Sequence, residues 1–264
     1  MAARFARMPS TEQVPKLWHF RVSHFNEKVR WALDYKGIPH RREALLFSYM
    51  LRSWWYTGRL GLPILFLEGK AIGDSTRIIE ALERFRPEPP LYPRAPQDRR
   101  RALELEEYFD EALGHPIRTA LLGPLMRSDP DAALTGLALG HPRWKRRVVR
   151  LLYEPFRVFY QFRHGINDET MRLAPTQVDA ALDRLEAEIQ PGGYLVGDAF
   201  SVADLTAASL FVPLVWPPEF PQPAPLPAEF GAYRDSVTHR PGFQWVKKMF
   251  RQHRFRPEAP SAGA

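Results

Sequence analysis

A mixed α/β domain followed by an all-α domain is the fold class this sequence predicts, and three observations carry the prediction. Over the first 86 residues, short β-type runs alternate with helical periodicity in the order βαβαββα. Pro87, Pro89, Pro90, Pro93 and Pro96 then fall within ten residues, a cluster that suits a linker because proline lacks the backbone donor of helix and ladder. Beyond it, every periodic segment is helical. With 264 residues, 45% hydrophobic and 25% charged, the chain has the length for one large domain or two packed ones and the composition of a folded protein.

The elements follow in order. Residues 16–20, KLWHF, read as a strand, and Phe25, Val29, Ala32 and Leu33 give helical spacing over 24–36, before Gly37. Residues 41–45 read as a second strand and the aromatic-rich segment 47–56 as a short helix. The apolar run LPILFL at 62–67, the turn Glu68-Gly69-Lys70 and a brief strand at 71–72 form a β-hairpin. Ile78, Ile79, Leu82 and Phe85 predict a third helix starting at Asp74 or Ser75, both good N-cap residues. After the linker, helices are predicted around 103–113, 144–162, 178–189, 202–210 and 243–250. Ser201 and Asp204 are spaced as a capping box at the start of helix 202–210, a structural role. The domain boundaries so read are 15–86, linker 87–96, helical domain 97–256 and a flexible tail 257–264.

Composition removes whole classes of chemistry. There is no cysteine, which excludes disulfides, thiolate metal sites and every thiol nucleophile. Neither a phosphate loop, a dinucleotide fingerprint nor a G-x-S-x-G elbow occurs, and the eight histidines show no ligand spacing, so no metal is expected. The longest apolar stretch, 206–216, has 11 residues where a membrane span needs about 20, and the first residues lack a secretory apolar block. A cytoplasmic location is the expectation.

Net charge is +7, with a concentration at 143–150 and another at 247–256. In the first, Arg143, Arg146, Arg147 and Arg150 fall on one helical face and Trp144, Val148, Leu151 and Leu152 on another. Such a helix could touch anionic lipid or nucleic acid. The favoured reading is a solvated arginine face over a buried apolar stripe, with no nucleic-acid partner and no membrane-surface contact.

The domain order, linker and capping box together resemble the cytosolic glutathione transferase superfamily, with its thioredoxin-like first domain. The segment from Ser23 to Leu33 is similar to the family's strand-1 to helix-1 junction, where the activating residue precedes a helix with a basic-V-R pattern. Gly61-Leu62-Pro63-Ile64-Leu65 resembles its G-x-P strand entry, whose proline is cis. Gly73-Asp74-Ser75 resembles its acidic-serine pair opening helix 3, and 194–198 its approach to the capping box.

Glutathione has a thiol, two carboxylates and an amine, and the chain offers partners for each. Ser23, feeding a helix N-terminus, could donate to the thiolate while the helix dipole favours negative charge. Read alone, a serine there is first a helix cap; the resemblance implies the chemical role. It also implies that Ser75 and the first amides of helix 3 receive the γ-glutamyl carboxylate, that Asp74 faces the α-amino group or caps the helix, and that Leu62, before Pro63, pairs its backbone with the cysteinyl unit. Residues 46–60 depart from the family pattern, which usually supplies lysine, histidine or glutamine for the glycine carboxylate; Arg52 and Arg59 are the candidates here. His24 is expected to be a solvated helix-start residue, and Trp54, Trp55 and Tyr56 to pack on the second domain or a subunit partner.

The implied activity is a transferase that binds a low-molecular-weight thiol, with glutathione as co-substrate and no metal, and conjugates it to a hydrophobic electrophile. The alternative is a non-catalytic ligand-binding or interaction protein of the same fold. A homodimer is expected, covering Phe47, Trp54 and Trp55.

Overall fold

A computed structural model describes residues 14–46, 48–139, 141–218, 220 and 226–254. Phe47 and the tail 257–264 lie outside the described residues. A small mixed sheet opens the chain, with β1 (Lys16–His19), β2 (Arg41–Ala44), β3 (Ile64–Leu67) and β4 (Lys70–Gly73) arranged β2-β1-β3-β4. β1 and β2 are parallel; β1 with β3 and β3 with β4 are antiparallel. The two-residue side-chain period sorts the apolar residues onto two faces. Leu17, Leu65 and Leu67 enter the main core beneath α1 (His24–Tyr35) and α3 (Ser75–Phe85), whereas Trp18 and Ile64 join Tyr49 of α2 (Tyr49–Thr57) on the other face.

A helical domain follows: α4 (Pro96–Ala112), α5 (Gly114–Ser128), α6 (Pro130–Leu137), α7 (Arg143–Leu151), α8 (Tyr153–His164), α9 (Asp168–Glu188), α10 (Val202–Leu210), α11 (Val212–Val215), α12 (Ala228–Val237) and α13 (Pro241–His253). Its central helix α10 is fully buried and packs on α1 and α4. The Ser201–Asp204 capping box is formed: Asp204 accepts from the Ser201 amide at 2.9 Å and from the Leu195 amide at 2.8 Å.

Several sequence expectations are corrected. The continuous periodicity of 144–162 belongs to two helices that break at Leu152, because Pro155 has no N–H to carry one helix through. α4 starts at Pro96, inside the expected linker, since the polar residues 98–101 gave no periodicity by which to extend it. Within the linker Leu91 and Tyr92 are buried, and Lys36 Nζ donates to the carbonyls of Arg86 (2.8 Å) and Pro89 (2.9 Å). Nor is the apolar stripe of α7 buried. Trp144, Val148, Leu151 and Leu152 are all exposed, and Val149 turns inward instead. Trp54, Trp55 and Tyr56 likewise remain exposed in the single chain; Tyr56 packs edge-on against Trp18 and Phe66 of the first domain's own sheet, not on the second domain.

Buried charge joins the two domains. Lys28 of α1, with no exposed surface, lies 2.9 Å from Glu106 and 2.7 Å from Asp110 of α4, and the single Thr76 hydroxyl of α3 stands 3.1 Å and 2.9 Å from the same two carboxylates. Burial opposes the ammonium charge, but the two carboxylates overcome it and hold the Lys28 pKa above its ordinary value.

Candidate functional site

Ser23 caps α1 from an extended backbone (φ −85°, ψ 129°), as the first amides of a helix require. Its Oγ accepts from the Asn26 amide at 3.4 Å and from Asn26 Nδ2 at 2.7 Å. A serine hydroxyl has one proton and two acceptor sites, so both acceptor sites are occupied and the proton is left to be donated elsewhere. Asn26, only 1% exposed, is fixed in turn: its Oδ1 accepts from the Phe20 amide at 3.1 Å and its Nδ2 also reaches the Leu62 carbonyl at 3.5 Å.

The loop that carries Ser23 is strapped by Arg30. Its buried guanidinium donates to the carbonyls of Phe20 (2.8 Å) and Arg21 (3.0 Å), and more weakly to that of Ser23 (3.4 Å). Glu27 balances that charge at 2.7 Å and receives Arg254 at 2.7 Å. Burial works against the Glu27 carboxylate, yet Arg30 and Arg254 hold its pKa below the ordinary value. Asn26 and Arg30 were not among the residues assigned a role from sequence. The signal available was an amide three positions past a helix cap and the arginine of the basic-V-R pattern.

His24 is not solvated. It is 5% exposed and its Nε2 lies 2.9 Å from the Gly114 carbonyl at the start of α5. Burial, followed by the Arg118 charge, lowers its pKa to about 3, so the ring is neutral and Nε2–H donates across the domain boundary. A side chain at Gly114 would crowd the same place, since its Cβ would fall 2.3 Å from the Phe25 ring.

On the opposite side of the loop, the Ile64–Gly73 register sets Leu62 and Pro63 beside Asp74 and Ser75. The Leu62–Pro63 bond is cis. Asp74 accepts from the amides of Thr76 (3.1 Å) and Arg77 (3.4 Å), capping α3 from a left-handed backbone at φ 82°. Ser75, the first residue of α3, is buried. Arg59 forms a partly exposed 2.7 Å ion pair with Asp74. Arg52 is elsewhere: its guanidinium stands over the Trp18 ring at 5.7 Å and 3.8 Å from Glu43, outside the lining of the cleft.

Between the domains lies a cleft with a cavity volume of about 200 Å³. Ser23, His24, Asn26 and Leu62 line it on the first domain. The helical domain lines it with apolar side chains, Leu121, Leu122, Leu125 and Met126 of α5, Phe156 and Tyr160 of α8, and Trp216. Arg118 is also part of the lining and donates to His164 Nδ1 at 2.9 Å, where burial together with Arg118 and Arg163 lowers the His164 pKa to about 3 and keeps that nitrogen an acceptor. The arrangement places a serine O–H donor in the lining of a pocket suited to an apolar molecule.

Comparison with known proteins agrees with this architecture. Residues 17–90 match the family "Glutathione S-transferase, N-terminal domain" and residues 168–225 match "Glutathione S-transferase, C-terminal domain", together half of the chain. FtsZ-localized protein A of Caulobacter vibrioides is 24% identical over 198 residues, 73% of this chain and 74% of that protein. Among solved structures, a glutathione transferase from Phanerochaete chrysosporium shares the fold with a TM-score of 0.64 at 16% identity, covering 93% of this chain and 99% of its own. The beta-etherase LigF from Sphingobium sp. does so with a TM-score of 0.58 at 20% identity, covering 89% and 99%. The chain belongs to the glutathione S-transferase superfamily.

Proposed function

We propose that the protein binds a low-molecular-weight thiol, glutathione by its family, and conjugates it to an apolar electrophile held in the interdomain cleft. One observation carries the reading: Ser23 Oγ accepts twice from Asn26 and lines the cleft, which leaves its proton for a partner other than Asn26. Donated to sulfur, that proton's hydrogen bond stabilises the thiolate, and the N-terminus of α1 adds a favourable dipole. The thiolate then attacks the electrophilic carbon. A C–S bond forms, the leaving group departs with its electron pair, and the thiol proton has already passed to solvent. His24 is not its acceptor, being buried and neutral with a pKa near 3.

In this reading the peptide lies along the Leu62–Pro63 edge as an added strand, with its γ-glutamyl carboxylate on Ser75 and the first amides of α3. Asp74 faces the amine and Arg59, which it holds, offers the cation for a carboxylate; Arg52 is set aside for this role because it is engaged over Trp18. A homodimer that covers Trp54 and Trp55 belongs to the same proposal, and light scattering that finds only the monomer mass of 30.5 kDa would remove it.

Glutathione binding is read most simply from thermal shift, where a ligand at 100 times its dissociation constant stabilises the native state by about 2.7 kcal/mol. Stabilisation by glutathione, with conjugation of an activated aryl chloride, supports the transferase. A second reading, an interaction protein without turnover, is favoured by the similarity to a protein named for its localization to FtsZ and by the departure of residues 46–60 from the family pattern. It predicts no shift with glutathione or any other small thiol.

A further inference from the structure

The chain's positive charge and its bare apolar side chains coincide in one place. Residues 143–164 contain seven Lys and Arg against one Glu, nearly the whole of the net charge of +7. Within them, α7 exposes Trp144, Val148 and Leu151 at i, i+4 and i+7, one helical face, with Trp144 63% and Leu151 82% exposed. α8 exposes Val158, Phe159 and Phe162 at i, i+1 and i+4, Phe162 being 86% exposed. The opposite face of α8, through Phe156, Tyr160 and His164, lines the cleft. This segment lies between the two family matches, at 17–90 and 168–225.

We infer that α7 and α8 form a peripheral docking surface for an anionic membrane. An interfacial helix needs an apolar stripe that sinks to the headgroup boundary and flanking cations that meet lipid phosphates; α7 has both, with Arg147 exposed, Arg150 exposed and 3.5 Å from the equally exposed Asp131, and Lys145 beside the Trp144 ring at 5.6 Å. A second copy is a poor occupant, because it brings the same positive charge to the contact. A folded acidic protein is a poorer fit than lipid: side chains exposed by more than four-fifths protrude singly, and a fluid surface accommodates protrusions without a matching groove. Among the described residues no helix is long and apolar enough to cross a membrane, so the surface lies on the bilayer and does not span it. Docked in this way, α8 presents the protein to the membrane on one face and lines the cleft with the other, which suits an apolar ligand drawn from lipid.

The test is flotation of the full chain with vesicles of phosphatidylcholine alone and of phosphatidylcholine mixed with phosphatidylglycerol, at low and physiological salt. The wild type floats with the mixed vesicles, less so as salt rises, and not with phosphatidylcholine alone. Arg147→Gln with Arg150→Gln lowers partitioning roughly 30-fold. Leu151→Asp with Phe162→Asp lowers it at least roughly 10-fold, while the melting temperature holds because neither side chain belongs to the core. Absence of flotation with the mixed vesicles overturns the inference. So does flotation indifferent to the aspartate pair, which would assign binding to another basic region. Binding to polyglutamate without vesicle binding would point to an acidic protein partner, and a self-association abolished by the aspartate pair without vesicle binding would point to a second copy; either result overturns it.

Discussion

The side-chain amide of Asn26 donates to Ser23 Oγ across 2.7 Å, and its carbonyl oxygen is held by the Phe20 amide, so the direction in which the serine proton points is set by a neighbour three residues away. Asn26→Asp reverses that direction. A carboxylate would accept the Ser23 proton and, if a thiolate binds there as proposed, place a negative charge beside it. The expected outcome is a fall in kcat/KM for thiol conjugation of roughly 10 to 100 fold, with a smaller change in thiol KM, since one good donor to an anion is worth about 1.5 to 3 kcal/mol.

Arg30 is a positioning residue for the same hydroxyl. Arg30→Lys keeps the charge for Glu27 but loses the fork that reaches the carbonyls of Phe20 and Arg21. Urea denaturation should show a loss of about 3 to 6 kcal/mol, from two charge-assisted hydrogen bonds. In conditions where the variant is folded, kcat should fall more than thiol affinity, because the loop carrying Ser23 is no longer fixed.

His24 makes acid stability testable. Its folded pKa, about 3, lies below the ordinary 6.5, so the neutral ring contributes stability above about pH 6.5 that is lost progressively as pH falls towards 3. His24→Gln can still offer an N–H to the Gly114 carbonyl and does not titrate. The stability of the wild type relative to this variant should therefore decline by up to about 1.4 kcal/mol for each pH unit below 6.5. A difference constant from neutral to acid pH would assign His24 an ordinary, solvated titration.

Asp74 combines a cap with a left-handed backbone at φ 82°. Asp74→Ala loses the cap and keeps the backbone cost; Asp74→Gly loses the cap and removes that cost. The glycine variant should be more stable than the alanine variant by about 1 kcal/mol in denaturant midpoints, although glycine ordinarily lowers stability through the unfolded chain. Equal stabilities would mean that the conformation at residue 74 carries no strain.

Much of this architecture was legible in the sequence. Strand alternation, the apolar run after Pro63, the Asp74-Ser75 cap and the Ser201–Asp204 spacing are local signals, and each element they predict is present within a few residues. What was not legible depends on contacts distant in sequence. Nothing local in the sequence marks Lys28, Glu27 and Arg30 as buried, because Glu106, Asp110 and Arg254 reach them from distant positions, and His24 reads as solvated although Gly114 closes over it. α7 fails in the opposite sense: its amphipathic period was clear, but periodicity does not say which face meets the core, and the predicted burial of Trp144 and Leu151 was wrong.

The bound-thiol titration of the wild type and Ser23→Ala tests the central claim most directly, with thiolate formation followed by ultraviolet absorbance on glutathione complexes. If Ser23 donates to sulfur, the wild-type complex forms thiolate well below the pKa of free glutathione. Ser23→Ala then moves that pKa upward by about 1 to 2 units, the equivalent of one donor to an anion, while thiol affinity changes little. Superimposable titrations, accompanied by a loss of about 1 kcal/mol in stability, would reduce Ser23 to the cap of α1 and contradict the account.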